Sequence, residues 1–248
     1  MKLKIQMIGT GSAFAKHYFN NNALLYTEQS TLLIDCGITA PMALHKLGKS
    51  FVDIDGVLIT HIHADHVGGL EEFAFQMKFI HGRKPKLYIA SPLVQPLWNN
   101  TLKGGLTQEG ISCLEDVFEV HALEPNHTYS LAAGMEIQLI ETPHIAGKRS
   151  FSLLVNHSFF YSADMRFQPD LLHTLIEQQG VTLIFHDCQL TGKGEVHTTL
   201  AELLTLPEWI QRKIYLMHYG DERSQYEGHT GPMPFVEQHK IITIREQL

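Results

Sequence analysis

The sequence predicts an α/β protein in which two sheets pack together with helices outside. Two observations predict that class: the chain falls into two strand-rich halves, and segments of helical periodicity follow each half. A third sets the organisation. There is no internal repeat, no low-complexity tract and no Pro/Gly/Ser linker, so residues 1–248 are expected to form a single domain.

The elements follow in order. Lys2 to Ile8 alternates like a strand and breaks at Gly9-Thr10-Gly11-Ser12. Residues 23–26 and 31–34 read as a hairpin pair ending at Asp35-Cys36-Gly37, and 40–47 carry a short helical pattern. Asp55-Gly56 opens the apolar run Val57-Leu58-Ile59, a buried strand. Beyond Gly68 and Gly69, residues 70–80 space their apolar side chains as an amphipathic helix. Strands are expected over 86–90, 117–121, 135–141, 151–155, 158–161, 181–185 and 213–217. Helices are expected over 92–102, 169–178 and 198–204, and the polar, Gly/Pro-rich stretch 219–234 reads as a loop.

Composition narrows the function. Lys and Arg total 19 against 26 Asp and Glu, a formal charge of −7, without the basic excess or basic run of a protein that tracks along nucleic acid. Hydrophobic residues at 44% with charged residues at 18% exclude disorder. No apolar stretch approaches the roughly 18 residues of a membrane-spanning helix. Residues 1–7 are too short and too regularly alternating for a secretory apolar region. Cys36, Cys113 and Cys188 are odd in number and too widely spaced for a Cys-based zinc site. These features predict a cytoplasmic protein of a reducing compartment, with Cys36 and Cys188 as packing residues.

Histidine occurs 16 times, roughly two to three times its average share. Thr60-His61-Ile62-His63-Ala64-Asp65-His66 follows directly after the apolar strand, where an irregular turn can aim side chains at one point. Imidazole and carboxylate are the ligands that zinc and similar cations prefer. Four such side chains within six residues, followed by Val67-Gly68-Gly69-Leu70, read as a metal-binding segment rather than a polar loop.

This segment resembles the metal-binding motif of the metallo-β-lactamase superfamily. The resemblance runs the length of the chain and implies that superfamily's αββα sandwich, with a metal site at one edge of the paired sheets. It also implies further ligands at strand ends: His144 in Glu141-Thr142-Pro143-His144, Asp164 in Tyr161-Ser162-Ala163-Asp164, and His218 in Leu216-Met217-His218-Tyr219-Gly220. By resemblance, His61, His63 and His144 hold one divalent ion, Asp65, His66 and His218 hold a second, and Asp164 bridges them. Zinc is the metal so implied, with manganese as the alternative. Such a pair generates hydroxide near neutrality and stabilises the attacking and leaving oxygens of an in-line displacement.

His186-Asp187-Cys188 and Glu195-Val196-His197-Thr198-Thr199 resemble the acid–histidine dyad of the phosphodiesterase branch, best known from the tRNA 3′-processing endonucleases. In that branch the histidine protonates the departing ribose oxygen and the acid orients it, roles that the resemblance implies for His197 and Asp187. Asp187 stands where the branch more often has Glu. The turns Gly9-Thr10-Gly11-Ser12 and Asp35-Cys36-Gly37 resemble the same branch. Asp65 and Asp164 orient the attacking hydroxide in this scheme.

The tRNA enzymes carry a long arm between their counterparts of His144 and Asp164. Only 19 residues lie between those positions here, enough for two strands and a turn. With the acidic net charge, that points away from large nucleic acids. The compact members that the chain resembles are the anti-Pycsar type, cyclic-nucleotide phosphodiesterases of phages and bacteria. They imply a small cyclic nucleotide as substrate, a 5′-monophosphate as product, a homodimer and, for a phage protein, action in the host cytoplasm. Alternatives are an RNA endonuclease like the tRNA enzymes, a metal-dependent hydrolase of another ester or amide bond, and a non-catalytic scaffold. Lys148, Arg149 and Arg166 lie near ligands in sequence, either to meet a phosphate or as surface residues. Phe14, Tyr18, Tyr226 and His229 are either an aromatic wall for a base or packing and loop positions.

Overall fold

A computed structural model describes residues 3–244. Strands β1 (Lys4–Met7), β2 (Ala23–Tyr26) and β3 (Thr31–Ile34) form an antiparallel meander. Helix α1 (Ala40–Lys46), with Pro41 in its first turn, leads to β4 (Gly56–Ile59). Then come α2 (Ala64–Val67), α3 (Leu70–Phe75), β5 (Lys86–Ala90), α4 (Val94–Leu97), α5 (Lys103–Leu106) and β6 (Glu119–Leu123). The second half runs β7 (Thr128–Ala132), β8 (Met135–Thr142), β9 (Ser150–Val155), β10 (Phe159–Tyr161), α6 (Pro169–Glu177), β11 (Leu183–Asp187), α7 (Leu200–Leu203), α8 (Glu208–Gln211), β12 (Ile214–Met217) and β13 (Ile241–Thr243).

The strands build two sheets, ordered β13-β1-β2-β3-β4-β5-β6 and β12-β11-β10-β9-β8-β7. Period-two burial shows how they pack. Along β9, β10 and β11, Phe151, Leu153, Val155, Phe159, Tyr161 and Phe185 join the cluster shared with β1–β5. The alternate residues Leu154, Phe160 and Ile184 join a second cluster with Leu172, Leu175, Leu203 and Ile210 from α6–α8. One face of each strand therefore meets the other sheet and the opposite face meets a helix layer, which is the αββα sandwich. Covered on both faces, β9 is buried at all six positions, whereas β8 alternates buried residues with half-buried or exposed ones as far as Ile140.

The parallel pairings β3–β4, β4–β5, β10–β11 and β11–β12 bring the C-terminal ends of these strands to one edge. β8 points the same way, because β9 runs antiparallel to both β8 and β10. At that edge the sheets are stitched together: Phe151 N–H donates to Thr60 O at 3.1 Å, and His61 pairs with Ser150. Loops leaving both sheets therefore converge there, the usual location of a site in an α/β fold.

Several expected elements shift. The strand expected over 181–185 is Leu183–Asp187, because its ladder with β12 runs on through His186 and Asp187. The strand expected over 117–121 is Glu119–Leu123, since a 3-10 turn at Leu114–Asp116 occupies the approach to it. The helix expected over 198–204 is Leu200–Leu203, begun by Thr199, whose hydroxyl caps Glu202 N–H. The helices expected over 70–80 and 92–102 widen into π-helical turns at Gln76–Ile80 and Trp98–Leu102. Strands β7 and β13 and helices α2, α5 and α8 went unread. β7 and β13 are short, partly exposed strands at the outer edges of their sheets, where pairing rather than apolar patterning defines them. The expected strand at Lys2 begins outside the described residues.

Candidate metal centre

All seven residues expected to bind metal converge at the shared edge. His61 follows β4, and the chain turns at His63 into α2, which carries Asp65 and His66. His144 follows β8, Asp164 follows β10, and His218 follows β12. The turn needs close backbone packing. A Cβ at Gly37 would stand 1.9 Å from Asp65 O, so only glycine lets the β3–α1 turn lie against this segment. Asn22 ties the two together, accepting from Gly37 N–H at 2.9 Å and donating to Asp65 O at 3.1 Å. Asp35 (φ 57°), Ala163 (φ 49°) and His218 (φ 58°) all adopt the left-handed conformation. For a non-glycine residue that costs about 1–2 kcal/mol, the strain by which functional groups are aimed.

The donor atoms of these seven form two groups that share Asp164: His61, His63, His144 and Asp164 in one, and Asp65, His66, Asp164 and His218 in the other; a further group joins Asp164 and His218 to Asp187 and His197. Within the first, His61 Nε2 stands 3.0 Å from His63 Nδ1 and 3.6 Å from Asp164 Oδ2, and His144 Nε2 stands 4.0 Å from Asp164 Oδ2. Within the second, His66 Nε2 lies 3.2 Å from Asp65 Oδ2 and 3.4 Å from Asp164 Oδ2. His218 Nε2 lies 3.4 and 3.3 Å from the same two oxygens. Ligands about 2.0–2.1 Å from a tetrahedral ion are about 3.3 Å from each other. The donor set therefore fits a divalent cation in each group.

The opposite edges of the rings are committed elsewhere. Thr60 Oγ1 lies 3.1 Å from His61 Nδ1, Asp35 Oδ2 lies 2.8 Å from His66 Nδ1, and Val196 O lies 2.7 Å from His144 Nδ1. Such partners fix the tautomer and direct the free lone pair inward. His66 Nε2, His144 Nε2 and Asp164 Oδ1 are accordingly buried without a hydrogen-bond partner, as expected of atoms kept for a ligand outside the chain.

Electrostatics agree. Burial, helped by its imidazole neighbours, lowers His61 well below the usual value and takes His63 down to about 4, so both are neutral donors. Burial also lowers His144. For Asp65 and Asp164 burial opposes ionisation, but His66 and His218 outweigh it and hold both carboxylates well below the usual range. His66 is raised well above its usual value, because Asp164, Asp65 and Asp35 outweigh burial. That concentration of negative charge is what a cation balances.

His197 and Asp187 also meet at this site. His197 Nδ1 lies 2.8 Å from Asp187 Oδ2 and 3.9 Å from Asp164 Oδ2, and its ring stacks on His218 with centroids 4.8 Å apart. Burial works against its charge, but Asp187, then Asp164 and Asp65, raise it to about 9. Asp187 is buried at the end of β11, and its Oδ2 also accepts from Met165 N–H at 3.0 Å. Sequence reasoning misses the role of Asp35, which reads only as part of a turn. Its carboxylate accepts from Thr60 N–H at 2.8 Å and Thr60 Oγ1 at 2.7 Å as well as from His66. A lone Asp directly after a strand was the available signal.

The other expected contacts separate. Arg149 pairs with Glu141 through two 2.8 Å bonds at the surface. Lys148 and Arg166 are exposed beside a cavity that includes His144. Cys36 and Cys188 are buried. Tyr18 and Tyr226 pack partly buried against the second core cluster, whereas Phe14 is 88% exposed. Among the described residues, no helix is long and apolar enough to cross a membrane.

The same architecture occurs in the metallo-β-lactamase fold protein YhfI from Bacillus subtilis: the TM-score is 0.76 at 17% identity, covering 98% of this chain and 100% of that one. At the level of sequence, this chain is 60% identical over 245 residues to an anti-Pycsar protein Apyc1 from Paenibacillus sp. (strain J14), covering 98% of this chain and 100% of the relative. It is 42% identical over 257 residues to an anti-Pycsar protein Apyc1 of Bacillus phage vB_BsuM-Goe3, covering 97% and 98%. The family model described as anti-Pycsar protein Apyc1 matches residues 3–242, so the chain that gathers these histidines and carboxylates at one sheet edge belongs to the anti-Pycsar Apyc1 family.

Proposed function

We propose that this chain is a metal-dependent phosphodiesterase that hydrolyses 3′,5′-cyclic nucleotides to 5′-monophosphates and so removes a cyclic-nucleotide defence signal. The observation that carries the reading is the pair of donor groups sharing Asp164, with the His197–Asp187 pair 3.9 Å from the same carboxylate. The family description, an anti-Pycsar protein, supports the biological direction.

His61, His63 and His144 would hold one divalent ion and Asp65, His66 and His218 the other, with Asp164 between them. Nitrogen and oxygen donors at tetrahedral separations suit zinc, and manganese is the second candidate. When bound, such a pair supplies a nucleophile from water near neutrality and offsets the charge on phosphorus. The chain's own residues do the rest. Asp65 and Asp164 accept hydrogen bonds from the attacking water and set its line of approach opposite the ribose 3′ oxygen. Asp187 holds His197 through Nδ1, which leaves Nε2 as the atom that donates a proton. As the P–O3′ bond breaks, His197 protonates the oxygen and the 5′-monophosphate is released. A positioned acid is worth about 10²–10⁴-fold with so poor a leaving group.

A small substrate is supported by the segment between His144 and Asp164, which is taken up by β9 and β10, paired antiparallel within the sheet. The phage relatives support action in the host cytoplasm, and the resemblance alone supports a homodimer. Purified protein incubated with cyclic mononucleotides, cyclic dinucleotides and precursor tRNA, with and without chelator, tests the reading. We expect 5′-monophosphates from the cyclic mononucleotides, abolished by chelator, and no cleavage of precursor tRNA.

A further inference from the structure

Phe14 is the most exposed large apolar side chain among the described residues. A lone exposed apolar residue needs no explanation by itself, but this one is held in place. Ala15 N–H donates to Ser12 O at 3.2 Å, which puts Phe14 inside a tight turn. Before it, Ser12 N–H donates to Tyr219 O at 3.0 Å. After it, the Asp221 carboxylate accepts from Lys16 N–H and His17 N–H at 2.8–3.0 Å. Tyr18 then packs edge-on against Tyr219, with centroids 5.0 Å apart. The turn is therefore clamped on both sides while its aromatic ring stays uncovered.

Phe14 lines a cavity of about 520 Å³ together with Leu190, Val196, His197 and His218. That volume is in the range of small-molecule sites. The chemistry sets which part of a substrate enters it. This step rests on the phosphodiesterase reading above. In an in-line displacement the water attacks from the side opposite the leaving oxygen, and the leaving oxygen faces His197. The ribose that carries this oxygen must lie on the His197 side of phosphorus, so its base extends into the cavity that His197 and Phe14 share. We propose that Phe14 is the stacking platform for the nucleobase.

The test uses the metal-loaded full chain, as wild type, Phe14→Ala and Phe14→Trp. One readout is kcat/KM for a 3′,5′-cyclic nucleotide relative to 1-O-methylribose 3′,5′-cyclic phosphate, which has no base. The other is calorimetric binding of a 5′-monophosphate relative to ribose 5-phosphate. Base–aromatic stacking gives the wild type a preference for the base-bearing partner of about 5- to 150-fold in both readouts. Phe14→Ala should collapse that preference toward one, through KM rather than kcat, and Phe14→Trp should restore it. An undiminished preference in Phe14→Ala overturns the proposal. So does a lower molecular mass in light scattering, which would assign Phe14 to a subunit contact. If the wild type neither cleaves nor binds any of these compounds, the phosphodiesterase reading fails with it. A wild type that cleaves both substrates without preference sinks only the role of Phe14.

Discussion

His197 Nδ1 lies 2.8 Å from Asp187 Oδ2, joining the loop before α7 to the end of a buried strand ten residues earlier. In the proposed mechanism the imidazole is the proton donor, and Asp187 leads the carboxylates that raise His197 to about 9 against the effect of burial. A general acid works in its protonated form, so activity is present below its pKa and lost as pH rises through it. Asp187→Asn keeps the shape and removes the charge. Its kcat/KM profile should lose activity at lower pH than wild type, and kcat at pH 7 should fall about 10- to 1,000-fold. An alkaline limb that stays where it was would contradict the assignment.

Loss of His197 and loss of Asp164 should look different. His197→Ala removes a proton donor at the rim of the donor groups, so turnover should fall about 10²–10⁴-fold while metal content is unchanged. Asp164→Asn weakens an oxygen shared by both groups. It should lower both bound metal and turnover, measured by elemental analysis after dialysis. Equal metal loss in the two variants would place His197 among the ligands.

Asp35 makes no contact with substrate in this account, yet it holds three buried donors at 2.7–2.8 Å. Asp35→Ala leaves His66 and Thr60 unsatisfied, a defect worth about 3–5 kcal/mol. Asp35→Asn keeps a short side chain suited to φ 57° and should spare most of that stability. It should still weaken metal affinity about 10–100-fold. Chemical denaturation and metal titration separate the two effects.

Gly37→Ala tests how the metal-binding segment is seated. The added methyl would stand 1.9 Å from Asp65 O, so the segment or the β3–α1 turn must move. Overpacking of this kind costs about 1–3 kcal/mol, and here it should also displace Asp65 and reduce metal binding. Stability and metal content both equal to wild type would show that the close approach is not needed.

The cluster of candidate ligands was legible because its chemistry is concentrated. His61, His63, Asp65 and His66 share one turn after an apolar strand, and His144, Asp164 and His218 each follow a strand whose pattern is visible. The hairpin β2–β3 was legible to the residue, because polar turn positions bound two apolar runs. Asp35 was not legible as a partner of His66, since a hydrogen bond across 31 residues depends on strand order. The displacement of β11 toward Asp187 has a similar cause. Ser162 Oγ accepts from Asp187 N–H at 2.8 Å, so polar residues remain within a buried strand where a sequence pattern would end it. The aromatic candidates divided only in three dimensions, with Tyr18 against Tyr219 and Phe14 open to the cavity.

In the proposed function the two donor groups meeting at Asp164 would hold a pair of cations at the place where a cyclic phosphodiester is hydrolysed. Phosphorus NMR of a 3′,5′-cyclic nucleotide, followed with protein of known metal content, tests it most directly. About two ions per chain are expected, with the cyclic resonance replaced by that of the 5′-monophosphate, a conversion halted by chelator and restored by metal. A cyclic resonance that persists beside fully loaded protein, or conversion to the 3′-monophosphate, would contradict it.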